Sequence, residues 1–365
     1  MAAKKENSVV QKIKDAAQDM YEKIKKLKQP QLKIPLRALS NVHYDQKEGY
    51  FVLQKAIKAR TLTASTIKTF AQTLRMMGLS KQLVETDDIA TKREAYYVSK
   101  NWGDARFLEQ PESDSVMDDI EAMMRVNREQ IGFIPEEKGG DVAGELIVID
   151  RDPDTEKELR IDCTKFGSGA YSVPSSCEHL KFETKAKFVL AIETSGMFER
   201  LHKHKYWKKA NCILVSMGGV PTRACRRFIR LLADQHKLPV YVFTDGDPYG
   251  FGNIYRTLKV GSGNAAHINE FFCVPQAQFW GVTPQDIVDY KLPTHPLKEV
   301  DVKKIKDLIK NDPFIKHHKE WQKALDQMGK MKVRAEQQAL AKWGLNYVIE
   351  KYLPDKLKNS KTWLP

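Results

Sequence analysis

A chain of 365 residues with 42% hydrophobic and 29% charged residues can bury a core over two or three domains, which excludes a disordered chain. Sixty Lys+Arg against 47 Asp+Glu leave a formal net charge of +13, a surplus that suits a polyanionic partner such as nucleic acid. The five cysteines (Cys163, Cys177, Cys212, Cys225 and Cys273) are scattered without a CxxC pair, which argues against a zinc ribbon and a disulfide framework and suits a reducing cytoplasm. "MAAKKENSVVQKIKD" lacks the apolar core of a signal peptide, and no run approaches the length of a membrane span, so no membrane association is expected.

In chain order, residues 8–28 place Val9, Ile13, Ala16, Ala17, Met20, Ile24 and Leu27 on one helical stripe. That stripe predicts packing on the protein's own body or on a partner subunit. "TASTIKTFAQTLRMMG" predicts a second helix with Ile67, Phe70, Ala71, Leu74 and Met77 inward and Gly78 as its stop. "TKREAYYVSKNW" opens a third helix with a capping box, Thr91 at N-cap and Glu94 at N3. "SDSVMDDIEAMMRVNRE" predicts a fourth, with Met117, Ile120, Met123 and Met124 inward. With "GELIVIDRD" read as a strand pair, this region has the pattern of a winged-helix unit.

From about residue 187 the period changes. The runs "KFVLAIE", "NCILVSMGG" and "LPVYVFTDGD" alternate with helical stretches, a β-α-β-α-β order that implies a parallel sheet. The tail from about residue 300 reads as helical. The expected fold is therefore α/β and multidomain. An N-terminal amphipathic helix and arm cover 1–65, a winged-helix (CAP-like) domain 66–150, and a parallel α/β domain with a helical C-terminal extension 151–365.

Ligands of open parallel sheets gather beyond the carboxyl ends of the strands. Glu193 closes the first strand, while Asp245 and Asp247 close the third, so three carboxylates can converge on one rim. Their oxygens favour a hard cation, and Mg²⁺ suits phosphate substrates. The competing reading is that Glu193 caps a helix and the aspartates merely turn the chain. A haloacid-dehalogenase-like site fits poorly, because its Asp-x-Asp ends the first strand and Tyr249 stands where its Thr would be. "GSGNAAH" lacks the Lys-Ser/Thr of a nucleotide P-loop, so no ATP site is expected. His202 and His204 fall on different faces of a Lys-rich helix and read as surface. Arg223, Arg226, Arg227 and Arg230 form one basic face, either solvated or in contact with a phosphate backbone.

In "KREAYYVS", Arg93 and Tyr97 stand four apart and share a helix face, with Tyr96 turned away. A tyrosine beside an arginine can attack a phosphate that the guanidinium helps to hold, although a helical tyrosine is commonly packing. The segments "TKREAYY", Glu193, "GGVPTRACRRF", "TDGDPYG" and "VRAEQQAL…YLPDKL" together resemble the A-subunit family of archaeal type IIB DNA topoisomerases and its relative, the eukaryotic meiotic double-strand-break protein. The resemblance runs from about residue 30 to the C-terminus.

It implies that Arg93 and Tyr97 form the family's Arg-x-x-x-Tyr arrangement, with Tyr97 as nucleophile. It also implies that Glu193, Asp245 and Asp247 form the acidic triad of a Toprim domain holding Mg²⁺. By the same resemblance, double-stranded DNA is cut through 5′-phosphotyrosyl links and resealed by an A₂B₂ heterotetramer. That assembly pairs a homodimer of this chain with a GHKL-type ATPase B subunit in the cytoplasm, near the nucleoid. A meiotic-type cutter without resealing, and a non-enzymatic winged-helix DNA-binding protein, are the alternatives.

Overall fold

The computed structural model describes residues 2–135 and 138–365. The chain forms two units. One comprises Met1–His43, Phe51–Glu137 and Ser262–Phe271; the other comprises Tyr44–Tyr50, Lys138–Gly261 and Phe272–Pro365.

The first unit is built on four helices: α1 (Ala2–Lys25), α2 (Ile67–Glu85), α3 (Lys92–Val98) and α4 (Gln110–Met124). The apolar stripe of α1 is used within the unit. Val9 and Ile13 join Met76, Met77, Phe107, Ile120 and Phe133 in one core cluster, and Met20 packs with Leu32, Ile34 and Phe70 in a second. Its far end is not buried: Leu27 lies beyond the helix, with a φ of 53° and 97% exposure.

Helix α2 runs through Gly78, the residue expected to stop it. A side chain there would meet nothing within 4 Å, so Gly78 sits on the open face without a capping role. One glycine costs a helix interior only about 1 kcal/mol. The following turns recover that by burying Leu83 and by the bond from the Ser80 hydroxyl to the Ile131 carbonyl (2.9 Å). The helix ends at Glu85, where the Thr86 N–H bonds to the Gln82 carbonyl and Asp87 turns left-handed at φ 52°. Its buried face also differs from expectation: Ile67 is exposed, whereas Thr73 and Ser80 are buried with their hydroxyls on backbone carbonyls.

The capping box of α3 is present. The Glu94 N–H donates to Thr91 Oγ1 (3.1 Å) and the Thr91 N–H donates to Glu94 Oε2 (2.7 Å). Thr91→Ala is expected to lower unfolding stability by about 1 kcal/mol, and Thr91→Ser to leave it near wild type, by denaturant titration. In α4, Met117, Ile120 and Met124 are buried as expected, and Met123 is partly so.

The second unit holds a six-stranded sheet of β1 (Asp141–Gly144), β2 (Tyr171–Ser172), β3 (Phe188–Ile192), β4 (Cys212–Ser216), β5 (Val240–Phe243) and β6 (Gln278–Gly281), in the order β2-β1-β4-β3-β5-β6. Strands β3 to β6 are parallel, and every residue of β3, β4 and β5 is buried, the pattern of a sheet covered on both faces. Helices α5 (Ser195–Lys203) and α6 (Arg223–His236) follow β3 and β4.

"GELIVIDRD" does not pair with itself. It contains the single strand Leu146–Arg151, flanked by Glu158–Asp162 and Lys181–Thr184 in a separate three-stranded antiparallel sheet of the second unit. The tail is mostly helical, as expected, over Glu299–Asn311, Pro313–His317, Lys319–Met331, Val348–Tyr352 and Leu353–Lys358; an extended stretch at Val333–Arg334 and a 3-10 turn at Gln337–Trp343 interrupt it.

Candidate active site

Strands β3 and β5 are immediate neighbours, with Ile192 opposite Phe243. The next residue, Glu193, donates its N–H to the Phe243 carbonyl (3.0 Å), so it stands at the carboxyl edge beside the "TDGD" turn. The Asp245 N–H donates in turn to Glu193 Oε2 (2.8 Å), which joins the two carboxylate-bearing residues directly. Two glycines let this turn close. A Cβ at Gly246 would fall 2.7 Å from the Val282 carbonyl oxygen, and one at Gly250 would fall 2.5 Å from that of Asp245.

Asp247 has a different setting. Its Oδ1 accepts the Gly250 N–H (2.6 Å), the N-terminal cap of the helical turn that follows, and its Oδ2 faces Arg334 Nη1 at 3.4 Å. Arg334 also lies 3.8 Å from Asp301, so it neutralises two carboxylates at once. "TDGDPYG" is therefore a turn in which Asp247 shapes the loop, while Glu193 and Asp245 meet at the rim. The donor atoms of the three carboxylates are not all within 4.8 Å of one another.

Burial pushes the Glu193 carboxyl up to about 7, aided by the charges of Asp245 and Asp247 and opposed by the Asp245 N–H. Burial likewise raises Asp245 to about 6; the Gln337 N–H and Arg334 pull it down, while Asp247 and Glu336 push it up. Each of the two has one oxygen held by a backbone N–H, Glu193 by that of Asp245 and Asp245 by that of Gln337 (2.8 Å). The other oxygen of each takes no hydrogen bond among the described residues. Two half-desolvated carboxylates, each with an oxygen to spare, fit a hard divalent cation.

The segment that supplies Arg334 and Gln337 has no local motif that marks either residue. Gly246 and Ala335 exchange two backbone hydrogen bonds (2.8 and 3.2 Å), which lays the extended 333–336 stretch along the aspartate turn. The one signal in the sequence is the resemblance of "VRAEQQAL" to a family segment, because the contact spans some ninety positions.

In the first unit, α3 separates its two tyrosines. The Tyr96 hydroxyl donates to the Leu108 carbonyl (2.9 Å) and accepts from Lys100 Nζ (2.7 Å), so this residue is tied to its surroundings. Tyr97 is 56% exposed, and its hydroxyl has no hydrogen-bond partner among the described residues. Arg93, one turn earlier on the same face, is exposed and makes no ion pair among them. An unpaired guanidinium beside an open phenol leaves both groups available to an incoming phosphate.

Arg227 forms a two-pronged pair with Glu178 (2.5 and 2.7 Å), and Arg230 bonds Asp234 and the Cys273 carbonyl. Arg223 and Arg226 stack over Phe272. On this face of α6, Arg227 and Arg230 are thus paired within the second unit. Arg227→Ala is expected to cost about 3 kcal/mol of stability by removing both bonds to the Glu178 carboxylate, with DNA affinity changed less than twofold in a filter-binding assay. His202 stacks on Phe198. Among the described residues, one trio does bring acidic and histidine ligand atoms within 4.8 Å, namely Asp118, Glu121 and His267. Arg128 already bridges its two carboxylates at 2.8 and 3.2 Å. No helix among the described residues is long and apolar enough to cross a membrane.

A glutamate at one strand end and an Asp-x-Asp at the next, on a parallel sheet in a chain that also carries a tyrosine-bearing helical unit, define a Toprim protein of the DNA-topoisomerase class. Three family models match the chain. "Type IIB DNA topoisomerase" covers residues 68–133, and "All-beta domain in DNA topoisomerase VI alpha subunit" covers 136–186. The Toprim domain shared by the topoisomerase 6 A subunit and Spo11 covers 188–357. A protein of Methanocaldococcus jannaschii, named as the A subunit of type 2 DNA topoisomerase 6, is 58% identical over 355 residues, 97% of this chain and 96% of its own. Proteins of the same name from Methanothermobacter thermautotrophicus and Pyrococcus abyssi are 35% and 37% identical, across 96% and 97% of this chain and 97% and 94% of theirs. The chain belongs to the family of topoisomerase 6 A subunits and Spo11.

Proposed function

We propose that this chain is the DNA-cleaving and rejoining A subunit of an ATP-dependent type IIB topoisomerase. The observation that carries the reading is the contrast on α3: Tyr96 is hydrogen-bonded into the fold, whereas Tyr97 is exposed beside Arg93, which makes no ion pair among the described residues. Tyr97 Oη attacks a phosphodiester phosphorus, the bond to the 3′-oxygen breaks, and a 5′-phosphotyrosyl link forms as the phenol loses its proton and the 3′-oxygen gains one. Arg93 steadies the non-bridging oxygens. The reverse displacement, 3′-hydroxyl on phosphotyrosine, reseals the strand with no outside energy, because one phosphodiester replaces another.

Glu193 and Asp245 would hold Mg²⁺, with Asp247 contributing from the capped turn. When bound, that ion supplies charge neutralisation at the phosphate and the leaving oxygen. The one oxygen of Glu193 and of Asp245 that takes no hydrogen bond among the described residues supports this assignment.

One tyrosine per chain cuts one strand, so a double-strand break takes a homodimer in which each tyrosine serves with the metal site of the other copy. Strand passage then draws on a GHKL-type ATPase B subunit in an A₂B₂ assembly on DNA, in the cytoplasm at the nucleoid. The formal charge of +13 supports a DNA partner.

The test is a supercoiled-plasmid reaction containing this chain, a B subunit, Mg²⁺ and ATP. Relaxed circles are expected, and protein-linked linear DNA when the reaction is stopped with detergent, which protease then frees of its protein. Linear product without any relaxed product would favour the meiotic-type cutter, and DNA binding with no adduct would favour the non-enzymatic reading.

A further inference from the structure

We propose that Gln337 is a positioning residue that holds the two rim carboxylates in register for a divalent cation. The inference rests on Glu193 and Asp245 being the ligands. Gln337 is fully buried, yet it spends its polar groups on both strand ends that carry those ligands. Its Oε1 accepts from the Thr194 hydroxyl (2.9 Å), on the residue next to Glu193. Its Nε2 donates to the Phe243 carbonyl (2.9 Å), two residues before Asp245. Its backbone N–H donates to Asp245 Oδ1 (2.8 Å).

These bonds divide the labour at the rim. The Phe243 carbonyl is shared by the Glu193 N–H and the Gln337 amide, so one acceptor ties the glutamate, the strand end and the C-terminal segment together. The bond to Asp245 Oδ1 fixes which aspartate oxygen is engaged and leaves Oδ2 for a ligand. Thr194 in turn caps α5 through the Met197 N–H (3.4 Å), so its hydroxyl links that helix to Gln337. An apolar residue of similar volume would fill the space, but it would leave the Thr194 hydroxyl and one lone pair of the Phe243 carbonyl without Gln337. A side chain that touches neither substrate nor cation but orients the groups that do acts on affinity for the cation.

The experiment is Mn²⁺ binding to the full-length chain, read by electron paramagnetic resonance. The proteins are wild type, Gln337→Leu, Thr194→Val, Thr194→Ser, the Gln337→Leu/Thr194→Val double variant and Glu193→Gln. Gln337→Leu is expected to weaken Mn²⁺ roughly tenfold. Thr194→Val should weaken it less, Thr194→Ser should match wild type, and the double variant should match Gln337→Leu because the two side chains form one link. In DNA cleavage, the metal concentration at half-maximal rate should rise by the same factor, with the rate recovered at saturating metal.

Wild-type Mn²⁺ affinity in Gln337→Leu, or losses in the two single variants that multiply in the double, would overturn the proposal. So would a reduced cleavage maximum at an unchanged metal midpoint. If Gln337→Leu fails to fold, Thr194→Val decides, and an unchanged affinity there overturns it. Wild-type affinity in Glu193→Gln would instead remove the metal assignment itself.

Discussion

Tyr97→Phe is expected to abolish the covalent protein–DNA adduct, while Tyr96→Phe retains it. Phenylalanine has no oxygen with which to displace the 3′-oxygen, so the loss is complete rather than graded. Tyr96 differs in kind, since its hydroxyl already serves the Leu108 carbonyl and Lys100. Its removal should cost about 1 kcal/mol of stability through lost hydrogen bonds. The two variants therefore separate on two axes: Tyr97→Phe keeps its melting temperature and loses the adduct, and Tyr96→Phe does the reverse. An adduct that survives in Tyr97→Phe, or vanishes only in Tyr96→Phe, would show that Tyr97 is not the nucleophile. Radiolabelled DNA retained on protein after nuclease digestion is the direct measurement.

Glu193→Gln should cut cleavage by a hundredfold or more, the approximate scale of losing one preorganised electrostatic group, while stabilising the metal-free fold at alkaline pH. The sign follows from protonation. The folded Glu193 carboxyl sits at about 7 and that of Asp245 at about 6, both above their ordinary values. Between those ordinary values and pH 7 the folded chain holds protons that the unfolded chain has released, so metal-free stability falls as pH rises through this window. The fall is on the order of 2 kcal/mol for the pair, after allowing for the side of the site open to solvent. Glutamine at 193 removes one charge and can still accept the Asp245 N–H, so its stability curve should be flatter and lie above wild type at pH 8 in chelator. Added Mg²⁺ should stabilise wild type more at pH 8 than at pH 5, and the variant less at either pH. Urea titrations at the two pH values, with chelator and with Mg²⁺, read all four quantities. A Glu193→Gln chain less stable than wild type at pH 8 in chelator would refute the account.

Much of this was legible in one dimension. The three apolar runs became β3, β4 and β5 because a strand covered on both faces needs no polar alternation. Thr91 and Glu94 form their capping box because its partners lie three residues apart. Arg93 and Tyr97 share a face for the same local reason. Gly78 misled because a glycine signals a stop only when the turns beyond it bury nothing, and here they bury Ser80 and Leu83. "GELIVIDRD" misled because its strand partners lie at Glu158–Asp162 and Lys181–Thr184.

The sequence by itself thus determined the three central strands and the α3 capping box, the strand ends on which Glu193, Asp245 and Asp247 fall, and the helix face shared by Arg93 and Tyr97. These depend on periodicity, caps and turns, whose range is a few residues. Only the tertiary structure decided how the candidates differ. It paired Arg227 with Glu178, turned Asp247 to a cap with Arg334 beside it, and tied down Tyr96 while leaving Tyr97 open. It also brought Gln337 from the far end of the chain to the carboxyl edge. Hydrogen bonds and ion pairs between distant segments are set by which strands become neighbours, and no local pattern of residues encodes that.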